Sequence, residues 1–340
     1  MPIPIHTIAI YRRLHTDNIC AVFLLQEFGE DFFPGIKDAK IELWDREPEG
    51  KKADEMEKEG YLLVDMGEGK FDHHHHDNHD AVKTDCASTL VAKYLNIDQM
   101  PALRKLLTFV KRDDLEGRGI VSKDVIDRMF GLPALILNLV KAYPSHPDYV
   151  IDIVKRIFQA HYFEQYTRTV LMPLEFETLK NNGKAVLKKM SAGSEELNVV
   201  LIETDSNTMA GFLRAVEDVR ADIVVIQRST GHINIITKDR KPRVDFRATI
   251  RRIREEEALK KGIELEATEQ ELEKTGRIDA IKEWYYDTAA NTLQNGGAAS
   301  ADSVPPTSLQ LEDVENILLE TLPGALPKNM RTIPMNGKYR

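Results

Sequence analysis

The chain has 340 residues, 42% of them hydrophobic and 30% charged, with a formal net charge of −9. This composition excludes a disordered chain, no apolar run reaches the roughly 18 residues that span a bilayer, and the acidic balance excludes a protein that coats nucleic acid through bulk charge. Only two cysteines are present, Cys20 and Cys86, and the N-terminus carries no basic region followed by an apolar one. A reducing, cytoplasmic setting without a membrane is therefore expected.

In chain order, Thr7–Ile10 predicts a first buried strand, followed by a turn with Arg12, Arg13 and His15. Asn18–Phe28 is apolar enough for a buried helix that ends near Gly29. Ile41–Trp44 predicts a second strand ending at Asp45, Lys51–Glu59 a charged outer helix, and Leu62–Asp65 a third strand. Cys86–Leu95 reads as a helix that starts on small residues. Strand and helix alternate, which predicts an α/β fold with a parallel sheet and helices on both faces. Ligands in such sheets bind beyond the carboxyl ends of the strands. His15, Asp45, Asp65 and Asp72-His73-His74 all fall at or just after those ends.

Residues 100–170 predict packed helices by their apolar spacing. The composition then shifts, and 1–170 and 180–340 are expected as two domains, the second a smaller α/β unit. In it, 184–189, 197–202 and 221–227 predict strands, Thr208–Val219 a helix, and His232–Thr237 the return strand of a hairpin. Gln294–Thr307 is expected as a loop and Leu309–Leu322 as a final amphipathic helix. Trp284-Tyr285-Tyr286 could stack bases, but at helical spacing it fits a core or an interface patch. That cluster and the last helix leave room for a homodimer.

The densest chemistry lies in Phe71–Asp80, which holds five of the ten histidines interleaved with aspartates. Carboxylate and imidazole together suit Mn²⁺, Zn²⁺, Fe²⁺ or Co²⁺, and two such ions close together are a device for phosphoryl transfer to water. An internal position argues against a purification tag; a solvated His-rich loop is the bland alternative. The basic run from Lys238 to Arg254 could meet phosphates or form a solvated face balanced by Glu255-Glu256-Glu257.

Four clusters stand in order: His15-Thr16-Asp17, Asp65 in Leu63–Gly67, Asp72-His73-His74 after Phe71, and Asp113-Asp114 after Phe109-Val110. With the helix start at Ser88, this set resembles the DHH phosphoesterase superfamily. Within it, the chain is most similar to the MYG-type (melanocyte proliferating gene) metal-dependent hydrolases, which act as exonucleases. The likeness touches most of residues 8–120 and, more weakly, 195–250.

That resemblance implies a DHH-type metal-binding catalytic domain followed by a substrate-binding domain. It implies two divalent ions, Mn²⁺ first with Mg²⁺, Zn²⁺ or Co²⁺ as alternatives. His15 and Asp17 would each hold one ion, Asp65 would bridge them, His73 would bind a metal, and Asp114 would complete the set, with Asp113 the alternative by one residue of alignment. His74 would face a substrate phosphate and, with Asp65, take part in catalysis. His75, Arg228, His232, Arg243, Arg247 and the Gly296-Gly297 loop are the further candidate substrate contacts, on a nucleic acid or nucleotide phosphate. Two departures stand out. The family's metal-binding His before His-x-Asp is matched by Ile10 and Tyr11, with His6 too early and Asp45 a candidate substitute. Asn18 stands where the family has Glu. Hydrolysis of a small nucleotide or pyrophosphate, and a catalytically degenerate binding module, are the competing readings.

Overall fold

The computed structural model describes residues 3–46, 50–74, 84–117, 119–239, 242–296 and 304–326. Two compact units, Met1–Leu171 and Met172–Arg340, each have a core of their own.

The first unit runs β1 (Thr7–Tyr11), α1 (Thr16–Phe28), β2 (Lys40–Trp44), α2 (Ala53–Lys58), β3 (Tyr61–Leu63), α3 (Ala87–Tyr94), α4 (Arg104–Glu116), α5 (Val125–Phe130), α6 (Leu132–Ala142) and α7 (Pro147–Tyr166). Its three strands are parallel in the order β2-β1-β3, with Ile8 opposite Ile41 and Leu62. Parallel neighbours need crossovers, and α1 and α2 lie on those connections. The period-2 alternation of the strands then gives the sheet two buried faces. Ile8, Ile10, Leu62 and Val64 join the main core with α1, α3, α4 and α7. Ala9 and Leu63 face the other way, onto Met56 of α2. α1 is buried from Thr16 to Leu25 because Ile19–Leu25 carries no polar stripe.

β3 is shorter than its apolar run predicts. Val64 still donates to the Ala9 carbonyl at 3.0 Å, but Asp65 turns into the left-handed region at φ 62°, and the ladder stops. With β1 in the middle of the sheet, its carboxyl end opens between those of β2 and β3.

The second unit contains α8 (Met172–Asn181), β4 (Ala185–Ala192), β5 (Glu195–Glu203), α9 (Met209–Ala215), β6 (Ile223–Gln227), β7 (Ile233–Thr237), α10 (Arg247–Lys261), α11 (Glu269–Leu272), β8 (Tyr285–Asp287), β9 (Thr292–Gln294) and α12 (Leu311–Thr321). Its six strands form a mixed sheet in the order β4-β5-β6-β7-β9-β8, in which only β5 and β6 run parallel. β6 and β7 make the expected hairpin. The Trp284 cluster is not helical. Tyr285 and Tyr286 begin β8, and Trp284 and Tyr286 are buried in the unit's own core, as are Val314, Ile317 and Leu318 of α12. Among the described residues no helix is long and apolar enough to cross a membrane.

Candidate metal centre

Beyond the carboxyl end of β1, the chain turns through Arg12–His15 into α1. Asn18 fixes that turn, accepting from the His15 backbone N–H at 3.1 Å and donating from Nδ2 to the Arg13 carbonyl at 3.0 Å. Asp17, in the first turn of α1, is fully buried. Its two carboxylate oxygens accept the N–H groups of Ala87 (2.8 Å) and Ser88 (2.9 Å) at the start of α3, where a helix has unmatched donors and a positive dipole end.

Asp72 organises the next turn. One of its oxygens accepts the Glu68 N–H at 2.8 Å and the other the His74 N–H at 2.9 Å. The aspartate of Asp72-His73-His74 thus shapes the backbone, and the two imidazoles project from it. Asp65 is positioned by its own N–H, which donates to the Phe71 carbonyl at 3.0 Å.

These segments converge. His73 Nε2 lies 3.1 Å from Asp65 Oδ1 and 3.5 Å from Asp114 Oδ2. His15 Nε2 lies 3.2 Å from Asp65 Oδ2, and its Nδ1 3.9 Å from Asp114 Oδ1. His74 Nε2 lies 3.4 Å from Asp65 Oδ1. Ligand atoms of Asp65, His73 and His74 lie within 4.8 Å of one another, and so do those of Asp17, His73 and Asp114. Asp65 meets three imidazoles, and His73 is common to both groups. On α4, Asp114 faces His15 and His73, whereas Asp113 accepts the hydroxyl of Thr16.

The donor set fits a divalent cation. Asp65 Oδ1, Asp114 Oδ2 and both ring nitrogens of His73 are buried without a hydrogen bond, the first two being within ion-pair distance of His73 Nε2. The carboxylates of Asp17 and Asp114 also lie together around His73. A cation satisfies the donor atoms and offsets the repulsion, and oxygen with imidazole suits Mn²⁺, Zn²⁺, Fe²⁺ or Co²⁺.

The electrostatics agree. Burial pushes the His15 and His73 imidazoles down, but the adjacent Asp65 carboxylate and the other surrounding carboxylates outweigh it and raise both above the ordinary value. Burial also opposes ionisation of Asp65, yet His15 and His73 pull it down to about 2. Asp114 is pushed up by burial and by the charge of Asp17. A metal must displace the protons that the raised imidazoles hold, so loading weakens as the pH falls.

The cluster floors a cleft of about 580 Å³, whose rim carries Tyr11, Arg12, Arg13, Trp44 and Asp45. Asp45 is no substitute ligand: its side chain is 76% exposed and pairs with Arg12 at 2.9 Å. Ile10 is in the core. His6 sits at the opposite end of β1, its ring nitrogens against Thr7 Oγ1 (2.9 Å) and the Glu59 carbonyl (3.0 Å). β1 therefore adds no ligand upstream of His15.

In the second unit the candidate substrate contacts have partners within that unit. His232 is buried, with Nδ1 against Thr230 Oγ1 and Nε2 against the Val304 carbonyl, both at 2.8 Å. No ring nitrogen is left for a ligand. Gly296, at φ 72°, packs against that ring so closely that a Cβ would meet it at 2.9 Å. Arg228 holds the Asp205 carbonyl and Asn207 Oδ1. Arg243 donates to the Thr288 and Ala289 carbonyls, and Arg247 pairs with Asp245 at 2.6 Å. His75 and Gly297 lie outside the described residues.

What the sequence reading missed is the positioning layer of Asn18, Asp72 and Thr16, and the aromatic rim. Trp44 stands next to Asp45 at a strand end, the same signal that marked the other site residues.

No family model matches the chain, and no curated protein is significantly similar to it. Three chains of solved structures match. One is the crystal structure of an uncharacterized protein from Helicobacter pylori G27, which is 11% identical, with a TM-score of 0.22 over 94% of this chain and 99% of that one. A likeness of that degree carries no argument about fold or function.

Proposed function

We propose that this chain is a metal-dependent phosphohydrolase with a DHH-type centre of the MYG kind, cleaving phosphodiesters of short or single-stranded nucleic acid with two divalent ions, Mn²⁺ first. The observation that carries this reading is the meeting of His15, Asp65, His73 and Asp114, from four separate segments, around buried atoms without hydrogen bonds. His15, Asp17, Asp65, His73 and Asp114 would hold the ions, with Asp65 shared. When bound, such ions neutralise phosphoryl oxygens and lower the pKa of water towards neutrality. His74, with its side chain 43% exposed, reaches into the cleft and would donate from its ring to a phosphoryl oxygen, while Asp65 orients that ring. The buried free thiols of Cys20 and Cys86 support a reducing, cytoplasmic setting.

A second reading, hydrolysis of a small nucleotide or pyrophosphate, is favoured by one observation. The cleft is of a size that holds a single small ligand.

The test is hydrolysis of bis-p-nitrophenyl phosphate, a labelled oligoribonucleotide and inorganic pyrophosphate, with and without Mn²⁺. Asp65→Ala and His73→Ala variants are run alongside. Mn²⁺-dependent cleavage of the oligonucleotide, falling more than about a hundredfold in both variants, is expected. Cleavage of pyrophosphate alone transfers the reading to the small substrate. Metal binding by the folded protein with no cleavage overturns the hydrolase reading in favour of a binding module.

A further inference from the structure

The cleft has a second half that the metal cluster does not use. β1 and β2 are parallel neighbours in which Tyr11 stands opposite Trp44, so the two rings share one face of the sheet. Both pack against the small cluster of Ala9, Met56, Leu63 and Met66. Trp44 is fixed further by donating from Nε1 to Glu42 Oε2 at 3.2 Å. The same two side chains also line the cleft, beside His15, Asp65 and His74.

Two arginines leave β1 directly after Tyr11, and their situations differ. Arg12 is occupied, with Nε on Asp45 and a second nitrogen on the Leu43 carbonyl. Arg13 is exposed and lines the cleft. Its backbone carbonyl is held by Asn18, but among the described residues its guanidinium has no ion pair or hydrogen bond. A fixed backbone thus presents an uncommitted planar cation at the mouth of an anionic centre. A guanidinium in that position suits a phosphate bidentately, and an aromatic face suits a nucleobase.

We propose that this rim is a nucleoside phosphate subsite within the first unit: Tyr11 and Trp44 take a base by stacking, and Arg13 takes the phosphate attached to that nucleoside. The proposal rests on reading the cleft as a phosphohydrolase site, and it moves the choice of substrate from the second unit to three residues at the ends of β1 and β2. A phosphate compound without a base gains nothing from two of the three.

Intrinsic fluorescence tests this, because the chain has only two tryptophans and the other, Trp284, is fully buried in the second unit. The full-length protein is titrated with AMP, UMP, ribose 5-phosphate and pyrophosphate, in EDTA and in Mg²⁺. AMP and UMP should quench emission saturably, whereas ribose 5-phosphate and pyrophosphate should not. By calorimetry, Trp44→Leu should lose about tenfold in AMP affinity, and Arg13→Gln should weaken AMP but leave adenosine unchanged. Equal responses to AMP and pyrophosphate, or no response to either, overturn the subsite without reference to any variant. So does full AMP affinity in Trp44→Leu with unchanged circular dichroism. Nucleotide quenching in a protein that hydrolyses nothing keeps the subsite and removes the hydrolase reading. Hydrolysis without nucleotide quenching does the reverse.

Discussion

Asp65 carries backbone strain: it occupies the left-handed region, which costs a non-glycine residue on the order of 1 kcal/mol, while its carboxylate is favoured by His15 and His73. Asp114 bears the repulsion, since burial and Asp17 raise its pKa above the usual carboxylate value. A carboxyl raised in the folded state destabilises the fold once the pH exceeds its unfolded value. In EDTA at neutral pH, Asp114→Asn should therefore melt about 2–4 °C higher than the wild type. With Mn²⁺ or Zn²⁺ the order should reverse, because the wild type gains the ion's binding energy and the variant loses a ligand. Differential scanning fluorimetry with and without chelator decides it; a variant less stable in EDTA would contradict the charge-relief argument. Asp65 and His73 could be read from sequence because they follow a strand end. The direction of Asp114 rather than Asp113 could not, because it depends on which carboxylate Thr16 reaches from α1.

At the scale of elements, α10 explains the fate of the basic run. Arg254 is fully buried and donates to the carbonyls of Leu272, Lys274 and Gly276. Arg251 and Arg252 pair with Glu273 and Glu320. These three arginines of α10 are paired within their own unit. Glu257, one turn beyond Arg254, accepts Trp284 Nε1 at 3.1 Å, the Ser308 N–H at 2.9 Å and the Thr307 hydroxyl, and pairs with Lys261. Burial opposes its ionisation, but these donors outweigh burial and lower its pKa. A lowered acid stabilises the fold above its unfolded value, about 4.3, and that stability disappears as the pH falls through the lowered one. Urea unfolding of the wild type between pH 7 and 3 should show this loss. Glu257→Gln should be less stable at pH 7 by about 1–3 kcal/mol and should lack that part of the acid dependence; an unchanged pH profile would contradict it. The longer strands and helices were legible from period and composition. β8 and β9 were not, because three residues are too few for a pattern and the strand that ties their hairpin to the sheet, β7, lies far off in sequence.

For the whole molecule, the candidate ligands His15, Asp17, Asp65, His73, His74 and Asp114 all belong to Met1–Leu171, and that unit has a core with no residue from the other. A fragment of residues 1–171 should fold, bind Mn²⁺ or Zn²⁺ with the affinity of the full chain, and unfold cooperatively. Calorimetric titration and thermal melting of the fragment check this, and loss of metal binding in a folded fragment would show that the second unit completes the site. The division near residue 170 was visible as a shift from helical to strand-forming composition. The hydrogen-bond partners of His232 and Arg228 were not, since they come from the packed loops around Asp205 and Val304.

α3 donates no ligand, yet its first amides end on a carboxylate that belongs to the centre. For the helix start to fray, Asp17 must let go of Ala87 and Ser88. A cation held by the same side chain makes that release harder, and fraying in turn loosens the cation. The residence time of an ion would thus be governed by the local opening of a helix that never touches it, and the exchange of those two amides with solvent would keep the time.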